Sequence, residues 1–359
     1  MLPGLRSSRG KRVGLLALAL FLVALTILCA GIGAMEIPAA YVTGILADAV
    51  GLTLPAPFSG FDEAQEAVLL SIRLPRMLLG VMVGGGLAVA GAAMQGLFRN
   101  PLADPGLLGV SSGAAFAAFA AIVFGASLGS GLPRWTEMWL LPFAAFSGAL
   151  IALLTLYALS RDGRGRVQVS VMLLAGIAVN ALCGAGVGLL SWLASDAQLR
   201  SFTFWSMGSL GSALWPALIA VAPVFLLASW LLARLARPLN LLALGESDAG
   251  HLGVRVERLK LGVIILCALM VGLAVSVSGA IGFVGLVVPH ILRMAGGPDH
   301  RWLLPASFLG GGILLLGADV FARTLAAPAE LPIGILTALV GGPFFLWLLA
   351  RGRKQGTWN

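Results

Sequence analysis

The run LGVIILCALMVGLAVSVSGAIGFVGLVVPHIL, from Leu261 to Leu292, contains no Lys, Arg, Asp or Glu. A helix needs about 20 mostly apolar residues to cross a bilayer, so this run is too long for one tilted helix and too short for two complete ones. Gly279, Gly282, Gly285 and Pro289 interrupt it. Irregular backbone at membrane depth is tolerated only where protein or a water-filled cavity covers it. The run therefore reads as a full helix to about Gly279, then a short helix around Phe283 to Leu292.

Other apolar stretches flank it on both sides. Val13 to Ala34, Met77 to Phe98, Leu107 to Ala126, Met138 to Leu159, Val171 to Leu193 and Ala213 to Leu235 come before, and Trp302 to Phe321 and Ile333 to Ala350 after. With 59% hydrophobic residues, 11% charged residues and a mean hydropathy of +0.99, a soluble globular protein is excluded. The expectation is an all-α polytopic membrane protein of about ten transmembrane helices with a short, broken eighth, forming one domain over residues 1–359. Arg6, Arg9, Lys11 and Arg12 precede the first stretch, and Arg351, Arg353 and Lys354 follow the last. The positive-inside rule places both termini in the cytoplasm, which requires an even number of crossings. Threading ten crossings leaves Arg73, Arg76, Arg134, Arg200 and Arg323 outside and the other arginine clusters inside. The first stretch is long, and Gly31 to Glu36 has no clear AxA cleavage pattern, so it reads as a retained helix.

The net charge of +8 comes from residues scattered between apolar stretches with no aromatic-interleaved basic patch, which argues for membrane orientation and against nucleic acid. Cys29, Cys183 and Cys267 are far apart in apolar runs and read as packing residues. His251, His290 and His300 are scattered, and HExxH, GxSxG and GxxxxGK[ST] are all missing, so neither a metal site nor a catalytic site is expected. Asp319 is the clearest intramembrane ionisable residue, and Arg323 lies at i,i+4 from it, where opposite charges meet. An ion-coupled carrier, the rival reading, has only this carboxylate to work with. Gln95 and Asn180 are candidates for hydrogen bonds between helices or for a pathway role. Gly80, Gly84, Gly85, Gly86, Gly184, Gly186, Gly188 and Gly310 to Gly312 read first as close-packing positions, with hinge or pathway roles as the alternative.

The segment 237–260 is too polar to cross. Leu239 to Leu244 forms a candidate short helix, Gly245 breaks it, and Glu246, Ser247 and Asp248 suit the start of a second. Leu239, Leu241, Leu242 and Leu244 on such a segment point to a partner surface; a loop folded back on the bundle is the alternative. The link Arg99 to Gly106 contains Pro101 and Pro105, which prevent a continuous helix, and threading places it at the cytoplasmic mouth.

GAAMQGLFRNPLADPGLLGVSSGA (Gly91 to Ala114) resembles the most characteristic stretch of the iron-chelate, haem and cobalamin permeases, the FecCD family of ABC importer membrane subunits. RLPR (Arg73 to Arg76), FWSMGSLG (Phe204 to Gly211), RPLNLLALGESDAGHLGV (Arg237 to Val254), SGAIGFVGLVVPHILR (Ser278 to Arg293) and AELPIGILTALVGGPFFLWLL (Ala329 to Leu349) extend the resemblance in chain order. It implies a ten-helix subunit with a cobalamin-importer-permease-like (type II) fold, a second copy of itself, two cytoplasmic ATPase subunits carrying ATP and Mg, a periplasmic binding protein, and a bacterial inner-membrane location. It further implies that Arg73, Arg76 and Arg323 meet glutamates of the binding protein, that 237–260 seats in a groove of the ATPase, and that Asn100 and Leu102, with Val169 and Ser170, form a cytoplasmic gate. The wording is closest to haem permeases, with siderophore and cobalamin permeases as alternatives; haem or an iron chelate is then cargo and no cofactor belongs to this chain.

Overall fold

The computed structural model describes residues 7–128, 134–163 and 167–354. Its α-helices are α1 (Ser8–Gly31), α2 (Ala39–Asp48), α3 (Glu63–Val68), α4 (Leu74–Leu97), α5 (Val110–Leu128), α6 (Arg134–Leu159), α7 (Val169–Leu193), α8 (Asp196–Ser206), α9 (Trp215–Arg234), α10 (Ala236–Leu242), α11 (Glu246–His251), α12 (Val256–Ser278), α13 (Val284–Gly296), α14 (His300–Thr324) and α15 (Ile333–Lys354). Ten of these, α1, α4 to α7, α9 and α12 to α15, occupy the ten apolar stretches. Among the described residues, seven helices are long and apolar enough to cross a membrane unaided, while the apolar cores of α5, α13 and α15 are shorter.

Sequence reading missed α2, α3 and α8, which lie between crossing segments. A signal for two of them was present. Asp62 and Gln65 form a capping box at the start of α3, as Ser195 and Gln198 do for α8, the reciprocal pattern that marks a helix N-terminus.

The break in the helix is covered only in part: Gly279 and Ile281 are buried, Ala280 and Phe283 are half-buried, and Gly282 is exposed beside a cavity. α12 stops at Gly279, where φ is +68°, and α13 starts after Phe283, itself left-handed at φ +67°. At the last residue of α12 the backbone is bonded to the loop after α8: Ser209 N–H donates to the Ser278 carbonyl at 2.8 Å. The start of α15 joins the same knot, with Ile333 and Gly334 N–H donating to the Gly208 and Met207 carbonyls at 2.9 and 3.0 Å. The Ser278 carbonyl, freed where α12 ends, thus finds a protein partner, as a low-dielectric setting demands.

α4 is the axial helix, buried along nearly its whole length from Pro75 to Leu97. α14 crosses it where Gly84 faces Gly311, and α13 approaches where Gly91 meets the Gly285 carbonyl; a Cβ at either place would collide with backbone. α7 meets the close-packing expectation only at Gly186, which lies against Phe116, while Gly184 and Gly188 face open space. α1 lies on the outside of the bundle. It buries only Cys29 and Ala30, turns Leu16, Leu20 and Phe21 outward, and suits a lipid boundary, where apolar exposure carries no penalty.

Candidate functional site

Two polar clusters lie at opposite ends of the bundle. At one end α3 runs into α4 through a π-helical turn, Leu69–Arg73, the kind of local register change found at functional positions. Arg73 and Arg76 follow on one face, and both are buried. Arg76 Nε donates to Asp319 on α14 at 2.9 Å, and its two terminal nitrogens grip Glu330 at 2.8 and 2.9 Å. This is the bidentate fork that suits Arg to a carboxylate. Arg73 donates to the Ala30 carbonyl at 2.6 Å and to the Met35 carbonyl. Arg323 donates to the Ile32 and Cys29 carbonyls at 2.6 and 2.5 Å. The last carbonyls of a helix lack intrahelical partners and carry its negative dipole end, so Arg73 and Arg323 cap α1 from two sides.

All three sequence-selected arginines therefore meet in one cluster, but their guanidinium groups turn inward onto the chain's own acceptors. The expected i,i+4 pair is present only as a charge contact: Asp319 and Arg323 lie 3.6 Å apart, too far for a hydrogen bond. The stronger partner of Asp319 is Arg76, which sequence spacing could not reveal. Glu330 was missed as well, although it sits in the quoted AELPIG stretch. Its bond to Arg76, outweighing burial, holds its carboxyl below the ordinary glutamate range. A depressed carboxylate contributes stability above its unfolded pKa of about 4.3 and loses that contribution as pH falls through the lower folded value. Acid titration of unfolding is expected to show this loss in the wild type and not in Glu330→Gln; equal acid sensitivity in the two would assign the loss elsewhere.

At the other end lies the segment 237–260. Gly245 breaks it as expected, at φ +126°, and Glu246, Ser247 and Asp248 are exposed at the start of α11. The four leucines divide. Leu239 and Leu242, three apart on α10, are buried in the core; Leu241 is half-buried and Leu244 is 63% exposed. The expectation that all four face a partner is corrected for Leu239 and Leu242: one helical face seats α10 on the bundle, and only the other is free.

Two polar junctions fasten this segment. Lys260, buried, donates to Glu246 at 2.8 Å, to Glu257 at 3.2 Å and to the Val167 carbonyl at 3.4 Å, while Val167 N–H donates to Glu257 at 2.8 Å. α11 is thus tied to the chain just before α7. Asn240 on α10 donates to Asp299 at 2.7 Å, and Asp299 also accepts from Lys11 at 3.3 Å. Burial alone would raise the Asp299 carboxyl, but bonds from Arg301 N–H, Asn240 and Lys11 hold it below the ordinary range. The sequence offered no sign of either junction beyond the charges themselves.

The link after α4 reverses tightly. Asn100 N–H donates to the Gln95 carbonyl at 3.1 Å with Arg99 left-handed at φ +51°, a Schellman-type ending in which Arg stands where Gly is usual. Exposed Asn100 accepts from the N–H of half-buried Leu102 at 2.9 Å. The link does not stay at the mouth. Asp104 and Gly106 share a cavity of about 230 Å³ with Leu87, Val271, Gly282 and Phe283, and Leu87 lies ten residues, roughly 15 Å, inside the end of α4. The second half of the link is re-entrant beside the broken helix. Val169 and Ser170 open α7, and their side chains lie outside the described residues.

The uncharged polar residues join helices. Gln95 reaches the Gly285 and Leu286 carbonyls at 3.4 Å, and Ser112 donates to Asn180 at 2.6 Å. His290 stacks edge-on against Phe344. Among the described residues no three His, Cys, Asp or Glu side chains converge on a possible metal position.

A broken crossing helix inside a multi-pass bundle, an ion-pair hub at one end and two short, fastened helices at the other define a membrane transport protein. Over residues 16–351 the sequence matches the FecCD transport family, a family of ABC transporter permease subunits, and the chain belongs to it. It is 54% identical to the hemin transport system permease protein HmuU of Yersinia pestis over 82% of this chain and 86% of the relative. It is 45% identical to the cobalamin import system permease protein BtuC of Halobacterium salinarum over 84% and 78%. Among solved structures, an inward-facing ABC transporter assigned to the metal-chelate type superposes with a TM-score of 0.79 at 36% identity, covering 94% of this chain and 98% of that one.

Proposed function

We propose that this chain is the inner-membrane permease subunit of a binding-protein-dependent ABC importer and that its cargo is haem. The observation that carries the cargo assignment is the 54% identity to a hemin permease over most of both chains, nine points above the identity to the cobalamin permease. Both termini lie in the cytoplasm with the segment 237–260. There Leu241, Leu244, Glu246, Ser247 and Asp248 meet a cytoplasmic ATPase that hydrolyses ATP with Mg, and Leu239, Leu242 and Gly245 give the segment its seat and its bend. A second copy of the chain completes the pathway; the open Gly184 and Gly188 on α7, four residues apart, support close helix contact across that interface. Asn100 and Leu102, together with Val169 and Ser170, close the cytoplasmic side of the pathway. At the opposite end Arg73, Arg76 and Arg323 receive a periplasmic binding protein. In the isolated protomer Glu330 occupies Arg76, so a partner's carboxylate has to share or exchange that fork.

No group on this chain performs covalent chemistry in this scheme. Energy enters as a displacement of α10 and α11, and the broken α12–α13 knot and the re-entrant link supply the irregular backbone along the path. The test is hemin uptake into liposomes holding the permease, the ATPase and the binding protein. Uptake is expected to need ATP inside the complex and to resist competition by cyanocobalamin. Uptake unchanged without ATP would reject the importer in favour of an ion-coupled carrier; preferential cobalamin uptake would reject the cargo.

A further inference from the structure

α10 has seven residues, too few to hold an orientation by its own hydrogen bonds. Leu239 and Leu242 seat it, and Asn240 between them reaches the start of α14. The amide of Asn240 is engaged through both its nitrogen and its oxygen: Nδ2 donates to Asp299 Oδ1 at 2.7 Å, and Oδ1 accepts from the His300 N–H at 2.9 Å and from His300 Nδ1 at 2.7 Å. With a carbonyl oxygen as its partner, Nδ1 carries the ring proton. Asp299 caps α14 by accepting from Arg301 N–H at 3.0 Å, and its second oxygen holds Lys11 of α1. The His300 ring sits against Gly96 on α4, where a Cβ would collide with it. One side chain on the short helix is therefore joined to the start of α14, and through Asp299 and His300 to α1 and α4.

α14 then runs 25 residues, about 37 Å, to the other end of the bundle. There it carries Asp319 and Arg323, which bind Arg76 and the carbonyls closing α1, and Leu331 N–H behind it bonds the Ala322 carbonyl at 2.9 Å. A continuous helix with a specific polar joint at each end is a contiguous physical link of the kind through which coupling between distant sites is carried. The junction at Lys260 has no such reach, since it ends at Val167.

We infer that Asn240 is a positioning residue that passes movement of the short-helix pair into α14, and through it to the arginine cluster at the far end of the protein. This rests on the coupling role proposed for 237–260. The short pair thereby has two outputs: α11, through Lys260, moves the chain before α7, and α10, through Asn240, moves α14.

The experiment uses the full complex of permease, ATPase and binding protein in liposomes, with hemin as the probe, and compares Asn240→Leu and Asn240→Asp with the wild type. Leucine removes donor and acceptor; aspartate keeps the size and sets a like charge against Asp299. In both variants ATP hydrolysis is expected to stay within about twofold of wild type while ATP-driven hemin uptake falls about tenfold. Hydrogen exchange supplies a readout independent of cargo. The nucleotide-dependent change at residues 325–332 is expected in the wild type and absent in both variants, with the change at 236–252 retained. If Asn240→Leu does not assemble, Asn240→Asp alone decides. Unaltered uptake, a retained response at 325–332, or hydrolysis and uptake falling by the same factor would each overturn the inference. A wild-type complex that takes up no hemin rejects the cargo reading alone, because exchange still judges the junction; a wild type without any nucleotide response at 325–332 overturns the junction even with uptake intact.

Discussion

Arg76→Met is expected to destabilise the protein by about 3–5 kcal/mol, the range for breaking a buried ion pair from one side. Among the described residues, Arg76 is the only group hydrogen-bonded to the Asp319 carboxylate, which is 1% exposed. Without it Asp319 keeps just the 3.6 Å charge contact with Arg323, whose terminal nitrogens are occupied by the end of α1. Glu330 would also be released, though it is exposed and can be solvated, so its share of the loss is small. The partner substitution Asp319→Leu should cost less, because Arg76 retains Glu330. The double variant Arg76→Met, Asp319→Leu should recover much of the loss, since an apolar pair of similar volume needs no desolvation compensation. Unfolding titrations of the four proteins in mixed micelles give the coupling energy directly. An Arg76→Met protein within about 1 kcal/mol of wild type would mean that Asp319 is not held as a buried anion. The same variant should expose the segment after α14 to exchange, because Glu330 is the one side chain of residues 325–332 bonded across to α4 among the described contacts.

Gly91→Ala should be among the most damaging methyl additions to the described bundle. The new Cβ would lie on the Gly285 carbonyl, a backbone group at the first turn of α13. Neither neighbour has a flexible side chain to yield, so α4 and α13 must separate, and overpacking of this kind costs about 1–3 kcal/mol. The separation also pulls on the Gln95 amide one turn further along, which holds the Gly285 and Leu286 carbonyls at 3.4 Å. Gly188→Ala is the control, with nothing within 4 Å of the added atom. The first substitution should lower the midpoint of thermal unfolding of the solubilised protomer, and the second should leave it unchanged while weakening association of two copies. Equal stability of both would show that α4 and α13 are free to move apart.

Hydropathy is a property of the chain in one dimension, so the ten crossing segments, the split of Leu261 to Leu292 and the bend at Gly245 were all legible in the sequence. The division of the four leucines was legible in principle: a three-residue spacing sets Leu239 and Leu242 on one face, but which face seats on the bundle depends on the neighbour it meets. What the arginines bind was not legible at all. Their acceptors are carbonyls at the end of a helix some forty residues before Arg73, and carboxylates more than two hundred residues after Arg76. Sequence by itself determined that this protein is a bundle of membrane helices with one broken crossing, because apolar length and glycine placement decide that locally. Only the tertiary structure decided that Arg73, Arg76 and Arg323 fold inward as a clamp and that Asn240 is bolted to α14. Buried charges and amides take whichever partners the packing brings within reach, and no spacing along the chain encodes that distance.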